Sequence, residues 1–98
     1  MKWLFALLLF IGAAGCLHPA PAPSGTDWDA VAQCETGGNW GALGPTYQGG
    51  LGIWHGNWGD NGGYEFADNA GRATREQQII VAERILARYG WAWGCPRP

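Results

Sequence analysis

The chain has 98 residues, 47% hydrophobic and 14% charged, which is enough apolar material for one folded domain and too little length for a second. Six Lys and Arg residues stand against eight Asp and Glu residues, so the formal net charge is -2, and no basic run occurs. Nucleic acid is therefore not an expected partner, because binding its phosphates requires a cationic face.

Seven Trp and 17 Gly residues are the unusual features of the composition. Indole rings fill protein cores, but they also stack on the apolar faces of sugars. Core packing is the expected role of any single Trp. The excess nevertheless favours a flat, weakly charged ligand such as a glycan over a phosphate-rich one.

The N-terminal residues have the pattern of a secretory signal peptide. Lys2 precedes a continuous apolar run over residues 3–11, and small residues follow at 12–15. As a helix, residues 3–15 would be only about 20 Å long, whereas the hydrocarbon core of a bilayer is about 30 Å thick. The sequence therefore predicts a signal peptide over residues 1–15 rather than a permanent transmembrane span.

Residues 13–16, Ala-Ala-Gly-Cys, resemble a bacterial lipobox, in which the cysteine receives a lipid and becomes the first residue of the mature chain. This resemblance predicts lipidation of Cys16 and attachment to the outer face of the cell membrane. Ordinary cleavage near residues 13–15 or 20–22, with secretion into the cell wall, is the alternative. The prolines within residues 16–26 predict an extended tether, which leads to a domain at residues 27–98.

A short helix is predicted to begin after Asp27, a suitable N-cap, and to end at the glycines 37–38. Glu35 then lies at its C-terminal end, where the glycines leave room for a ligand. Cleavage of a glycosidic bond requires a carboxylic acid, and an apolar wall keeps such an acid protonated by penalising its charged form. Glu35 is therefore a candidate catalytic acid, and Trp28 and Trp40 are the candidates for the apolar side chains that surround it. The alternative is a solvent-facing Glu beside a disulfide.

The middle of the chain is rich in glycine, and residues 41–52 are predicted to form turns or a small hairpin around Tyr47. Short strands of this kind commonly frame one side of a cleft. Residues 53–58 are predicted to form a helical turn with Trp54 and Trp58 on one face.

Residues 59–63 are a predicted turn, and residues 64–71 are expected to be irregular, with a brief helix near Phe66. This part of the chain contains several acidic residues. A two-acid glycosidase requires a second carboxylate in addition to the acid. The candidates, among which the sequence does not choose, are Asp60, Glu65 and Asp68.

The longest predicted helix covers residues 75–89. Thr74 and Gln77 have the form of a capping box, and apolar residues recur with helical spacing through the segment. Gly90 is the predicted C-terminal stop. The apolar stripe of this helix is expected to be core rather than a binding groove.

Two of the three cysteines, Cys34 and Cys95, bracket most of the chain beyond the tether and are expected to pair in an oxidising compartment. Their spacing matches no metal motif. A disulfide between them would contribute on the order of 4 kcal/mol in the chain-entropy model. A domain this small needs such a constraint.

Several motifs follow one another in a fixed order along the domain. They are DWDAVAQCETGGNW at 27–40, GGL at 49–51, Trp58, NGG at 61–63, ATREQQI at 73–79, VAE at 81–83, GW at 90–91 and Cys95. Together they resemble the catalytic domain of the resuscitation-promoting factors. The resemblance covers the chain from about Asp27 to Cys95.

This resemblance implies a small lysozyme-like fold, α+β and mainly helical, with a short hairpin or loop region and one disulfide. It also implies cleavage of the glycan strand of bacterial peptidoglycan in the manner of lytic transglycosylases or muramidases. Glu35 takes the position of the catalytic glutamate, and Cys34 and Cys95 take those of the disulfide. No cofactor and no metal are expected. The expected substrate-binding residues are Asn39, Trp40, Tyr47, Gly52, Trp54, Asn57 and Tyr89.

Three of these positions depart from the family pattern. Gly52 stands where Gln is usual, Asn57 where Thr is usual, and Tyr89 where Gln is frequent. Loss of a buried hydrogen bond costs about 1–3 kcal/mol. Asn57 can substitute for the usual polar residue, whereas Gly52 cannot. The chain is therefore expected to have weak activity or to prefer a slightly different substrate.

Three functions follow as hypotheses. The first is an enzyme that breaks the β-1,4 bond between N-acetylmuramic acid and N-acetylglucosamine, with Glu35 as acid and then as base. The second is a catalytically weak lipoprotein that binds wall glycans or another surface protein. The third is a small exported partner of a cell-wall peptidase or a larger lytic enzyme. The expected partners are thus peptidoglycan glycan strands and, through Cys16, the membrane.

Overall fold

The computed structural model describes residues 21–98, so the predicted signal peptide, Cys16 and the first part of the tether lie outside the described residues. The described chain is mainly helical with one two-stranded sheet, which confirms the predicted α+β, lysozyme-like fold. Its elements in chain order are helix α1 (Trp28–Thr36), strands β1 (Tyr47–Gln48) and β2 (Ile53–Trp54), helix α2 (His55–Asp60), 3₁₀ turns at Gly63–Glu65 and Ala70–Arg72, and helix α3 (Arg75–Tyr89).

Helix α1 has the ends that its sequence predicts. The Asp27 side chain accepts a hydrogen bond from the Ala30 N–H, and Gly37 ends the helix in the left-handed conformation with φ 68°. Glycine adopts that conformation without the steric penalty of a side chain. The helix buries Trp28 and Val31 against the core, so Glu35 lies two turns away from Trp28 at the other end.

Helix α3 also agrees with the prediction. Thr74 and Gln77 form the capping box in both directions, and Gly90 follows the last helical residue with φ 83°. The helix runs through the hydrophobic core, where Val81 and Ile85 are buried. Its apolar stripe is therefore core, as expected. Within residues 21–98, no helix is long and apolar enough to cross a bilayer.

The predicted hairpin around Tyr47 is confirmed. Strands β1 and β2 are antiparallel, with Tyr47 opposite Trp54 in the register. The predicted common face of Trp54 and Trp58 is wrong, because Trp54 pairs in the sheet and α2 begins only at His55. Trp58 is fully buried, whereas Trp54 retains 45% of its exposure.

The predicted turn at residues 59–63 is only partly correct, because Gly59 and Asp60 belong to α2 and the turn begins after them. The brief helix predicted near Phe66 corresponds to the 3₁₀ turn that ends one residue earlier, at Glu65. Between α2 and α3 the chain thus consists of two short 3₁₀ turns and irregular structure.

Gln78 is a fully buried polar side chain that connects α3 to the glycine-rich middle of the chain. Its Oε1 accepts a hydrogen bond from the Gly50 N–H at 2.8 Å, and its Nε2 donates to the carbonyl groups of Trp40 at 2.9 Å and Ala73 at 3.1 Å. The neighbouring Gly49 has φ 76°, and a Cβ there would collide with the Gln78 amide. Gln78 therefore fixes the hairpin loop on α3.

A bidentate ion pair joins the first turns of α1 and α3. Arg75 Nε and Nη2 donate to the two carboxylate oxygens of Asp29 at 2.9 and 2.7 Å. These hydrogen bonds lower the pKa of Asp29 and raise the pKa of Arg75. The guanidinium carbon also lies 5.5 Å from the centre of the Trp40 ring. The Trp40 indole therefore lies beside this ion pair.

The predicted disulfide between Cys34 and Cys95 is present, with the two Cα atoms 6.2 Å apart. It attaches the C-terminal segment, which follows α3 without further helix or strand, to the end of α1. Two indoles of this segment also pack on α1: Trp28 stacks on Trp91 at 5.9 Å between ring centres and meets Trp93 edge-on at 4.9 Å. The segment is thus held by one covalent bond and one aromatic cluster.

The last residues of the predicted tether also lie on the domain. Glu83 of α3 accepts hydrogen bonds from the Ser24 N–H at 3.1 Å, the Ser24 hydroxyl at 3.0 Å and the Trp28 Nε1–H at 2.8 Å. Arg97 donates through Nη2 to the Thr26 hydroxyl oxygen at 3.0 Å. Hydrogen bonds therefore attach Ser24 to α3 and Thr26 to the C-terminal segment.

Candidate active site

A cleft of about 480 Å³ opens where the end of α1, the hairpin loop and the C-terminal segment meet. The Cys34–Cys95 disulfide joins the C-terminal segment to the end of α1. The Thr36 hydroxyl group at the end of α1 donates to the Gly50 carbonyl of the hairpin loop at 2.7 Å. The lining residues are Glu35, Thr36, Ala42, Tyr47, Gly49, Gly52, Ala92, Trp93 and Gly94.

Glu35 is half-buried in this cleft, and its two carboxylate oxygens have different surroundings. Oε2 accepts a hydrogen bond from the Cys95 main-chain N–H at 3.0 Å. Oε1 lies toward Gly52, because a Cβ at Gly52 would be 3.7 Å from it. Gly52 has φ 58°, which glycine adopts without strain. Oε2 is thus held by a hydrogen bond, and Oε1 faces Gly52, which has no side chain.

A smaller cavity of about 60 Å³ adjoins the cleft and shares Tyr47, Gly52, Ala92 and Trp93 with it. It is also lined by Trp54 at the end of β2 and by Asn57 in α2. The two cavities together form a groove that passes Glu35. Four of the predicted substrate-binding residues therefore line one continuous groove: Tyr47, Gly52, Trp54 and Asn57.

The other three predicted substrate-binding residues lie outside both cavities. Asn39 is exposed and bonds locally, with its N–H donating to Thr36 Oγ1 and its side chain accepting from the Gly41 N–H. Trp40 lies beside Arg75, as described above. Tyr89 is 52% exposed at the end of α3, next to Arg88. The groove geometry does not group these residues with Glu35.

The indole beside Glu35 is Trp93, which sequence reasoning did not single out. Neither Trp28 nor Trp40, the indoles expected to flank the acid, lines the cleft, because Trp28 is in the core and Trp40 packs near Arg75. The sequence did contain a signal. Pairing of Cys34 with Cys95 places the neighbours of Cys95, including Trp93, next to Glu35.

Glu35 is also the one carboxylate among the residues that line the groove. The candidate second acids lie elsewhere: Glu65 forms an ion pair with Arg84 at 2.9 Å and Asp68 one with Arg72 at 3.0 Å, while Asp60 lies exposed at the end of α2. Among the described residues, no group of three or more His, Cys, Asp and Glu side chains is arranged to hold a metal ion.

The groove is lined by one carboxyl group, three aromatic side chains and several glycine and alanine residues. Such a surface suits a flat polar ligand with apolar faces, because aromatic rings cover the faces while main-chain groups remain accessible. The carboxyl group is the one lining group that transfers a proton readily. The arrangement is therefore suited to acid–base chemistry on an uncharged bond.

A profile described as "Transglycosylase-like domain" matches residues 22–96. The chain belongs to this family. Among the curated relatives of this transglycosylase-like domain is resuscitation-promoting factor Rpf1 of Corynebacterium glutamicum, 52% identical over 95 residues that make up 94% of this chain and 49% of that protein.

Mycobacterial proteins match the transglycosylase-like domain as well. Resuscitation-promoting factor RpfA of Mycobacterium tuberculosis is 48% identical over 87 residues, covering 85% of this chain and 21% of that protein. Resuscitation-promoting factor RpfB of Mycolicibacterium smegmatis is 42% identical over 88 residues, covering 88% and 24%. The resemblance found in the sequence is thereby confirmed, and the chain spans half or less of the length of these relatives.

Proposed function

We propose that this chain cleaves the β-1,4 glycosidic bond between N-acetylmuramic acid and N-acetylglucosamine in bacterial peptidoglycan. The observation that carries the proposal is the position of Glu35, the one carboxylate lining an aromatic-walled groove in a transglycosylase-like domain. Peptidoglycan strands supply the flat, polar sugars that such a groove accommodates.

In the proposed reaction, the protonated Glu35 carboxyl group donates its proton to the glycosidic oxygen while the bond from that oxygen to C1 of N-acetylmuramic acid breaks. An oxocarbenium-like centre develops at C1. The Glu35 carboxylate then accepts the proton of the attacking hydroxyl group, which restores its starting state. With a single carboxylate lining the groove, we favour attack by the muramyl 6-hydroxyl, which gives an anhydro product, over attack by water.

Mass spectrometry of digested peptidoglycan tests this proposal. The full chain is incubated with purified cell walls, and the soluble fraction is analysed. We expect muropeptides whose masses are one water lower than those from a hydrolytic muramidase digest of the same walls. Muropeptides with the hydrolytic mass would support glycosidic cleavage but show that water, not the muramyl 6-hydroxyl, is the attacking group. Absence of soluble muropeptides would contradict the proposed enzymatic activity.

We further propose that the chain is exported and held at the outer face of the cell membrane through a lipid on Cys16. Its substrate lies outside the membrane, and disulfides such as Cys34–Cys95 persist in oxidising compartments. In a Cys16→Ser strain, we expect the protein to move from the membrane fraction to the medium or the wall. An unchanged membrane fraction would contradict the lipid anchor.

Tyr47 tests the groove without disturbing the fold, because its side chain is 63% exposed and lines both cavities. We expect Tyr47→Ala to raise KM for soluble glycan fragments by about 2- to 10-fold, since an aromatic contact contributes about 0.5–1.5 kcal/mol. The matched control is Tyr64→Ala, because Tyr64 is 64% exposed and lines neither cavity. Equal KM values for the two variants would exclude Tyr47 from the binding surface.

A further inference from the structure

The disulfide and the proposed catalytic acid form one closed arrangement. Cys34 directly precedes Glu35 in α1, its sulfur is bonded to Cys95, and the Cys95 N–H donates to Glu35 Oε2 at 3.0 Å. The carboxylate is thus connected to Cys95 twice, through a covalent path and through a hydrogen bond. The same residue that closes the domain also contacts the acid.

This hydrogen bond is the one that the Glu35 carboxylate makes within residues 21–98. Glu35 lies half-buried in the last turn of α1, and the nearby Gly52 has no side chain that could contact its Oε1. A carboxyl oxygen can accept a main-chain N–H both when the group is protonated and when it is ionised. The Cys95 N–H therefore selects one orientation of the carboxyl group, with Oε1 toward the groove.

The Cys95 N–H is held in place by the disulfide together with the side-chain contacts of the surrounding segment. The segment after α3 has no helix or strand, and the indole of Trp91 contributes one hydrogen bond to the Cys95 carbonyl at 2.8 Å. Ala92, Trp93 and Gly94 line the groove just before Cys95. Opening the disulfide would leave this segment attached by side-chain contacts alone.

We propose that Cys95 is a positioning residue for Glu35. Its main-chain N–H orients the acid, and the disulfide holds that N–H in place, so the cross-link contributes to turnover as well as to stability. This inference rests on the proposed glycan cleavage. A cross-link that served only as a staple would affect the folded fraction and leave the rate of each folded molecule unchanged.

Replacing the Cys95 N–H by oxygen separates the two roles. The full chain is assembled from residues 1–33 and 34–98 by ligation at Cys34, with β-mercaptolactic acid in place of Cys95, which keeps the sulfur and the disulfide. Rates are divided by the folded fraction, measured by near-ultraviolet circular dichroism in the same solution. We expect kcat to fall roughly 10- to 100-fold, with KM within about threefold, because misplacing a reacting group by about 1 Å has such effects.

The matched control carries the same ester at Arg97, whose main-chain N–H makes no hydrogen bond within residues 21–98. Its kcat should equal that of the all-amide chain. An ester at position 95 that leaves kcat within twofold of this control would overturn the inference. If the all-amide chain itself releases no muropeptide, the proposed function fails instead, and the two failures are therefore distinct.

The part played by the disulfide is tested by the Cys34→Ser, Cys95→Ser double variant, which keeps the N–H at position 95. We expect its kcat per folded molecule to fall as well, since the segment is no longer tied to α1. An unchanged kcat would show that the disulfide does not act on Glu35.

Hydrogen exchange gives a measurement that does not depend on activity. The Cys95 amide proton should exchange about tenfold faster or more in Glu35→Ala than in the unchanged protein, because its acceptor is lost. In Glu35→Gln, the side-chain carbonyl still accepts the bond, so exchange should remain slow. Equal exchange rates in Glu35→Ala and the unchanged protein would contradict the hydrogen bond on which the inference depends.

Discussion

Glu35→Gln is expected to release muropeptides from purified peptidoglycan at a rate about 10²- to 10⁴-fold below that of the unchanged protein, which is the range that a positioned acid–base group contributes. The amide cannot donate the proton that the leaving oxygen requires. It has nearly the same shape and can still accept the Cys95 N–H. Stability should therefore change by less than about 0.5 kcal/mol. The rate is measured as soluble muropeptide released over time.

The control for this variant is Glu76→Gln, which removes an exposed carboxylate in the first turn of α3, away from the groove. It should digest walls at the unchanged rate. If Glu35→Gln also digests walls at that rate, Glu35 is not the acid. If the unchanged protein sediments with insoluble walls and releases nothing, the chain is a glycan-binding protein rather than an enzyme.

Gln78→Met should cause a large loss of stability, because Gln78 is fully buried and makes three hydrogen bonds. Methionine has a similar volume but leaves the Gly50 N–H and the Trp40 and Ala73 carbonyl groups without their buried partner. Each orphaned group costs about 1–3 kcal/mol, so we expect a loss of about 3 kcal/mol or more. For a domain of this size, that corresponds to a melting temperature lower by roughly 12–24 °C.

The measurement is urea denaturation followed by Trp fluorescence, with Gln33→Met as the control. Gln33 is an exposed helical residue of α1, so the same chemical change there should alter the free energy of unfolding by less than about 0.5 kcal/mol. Similar free energies of unfolding for Gln78→Met and Gln33→Met would show that other groups, for example water, replace the Gln78 hydrogen bonds when the amide is removed.

The parts of the fold that the sequence predicted are those that depend on local chemistry. Asp27 and Gly37 fix the ends of α1, and the capping box at Thr74 fixes the start of α3. Each cap depends on residues within one helical turn, so the local sequence is sufficient to predict where the helix begins or ends. The disulfide was also predictable, because only two of the three cysteines, Cys34 and Cys95, lie within the domain.

The parts that the sequence did not predict depend on contacts between distant segments. Trp54 and Trp58 have helical spacing, but pairing of Trp54 with Tyr47 starts the helix later and sends the two indoles to different environments. Trp93 lies in a segment without regular structure, so no periodicity reveals which way it faces. The buried role of Gln78 is likewise invisible in a helical pattern, where a single polar residue reads as exposed.

The contacts of Ser24 with Glu83 set the reach of the domain. Because Ser24 is hydrogen-bonded to α3, a lipid on Cys16 would be connected to the domain by the eight residues from 17 to 24. A fully extended segment of this length spans at most about 29 Å. A domain anchored through Cys16 would therefore reach only those glycan strands that lie near the membrane surface.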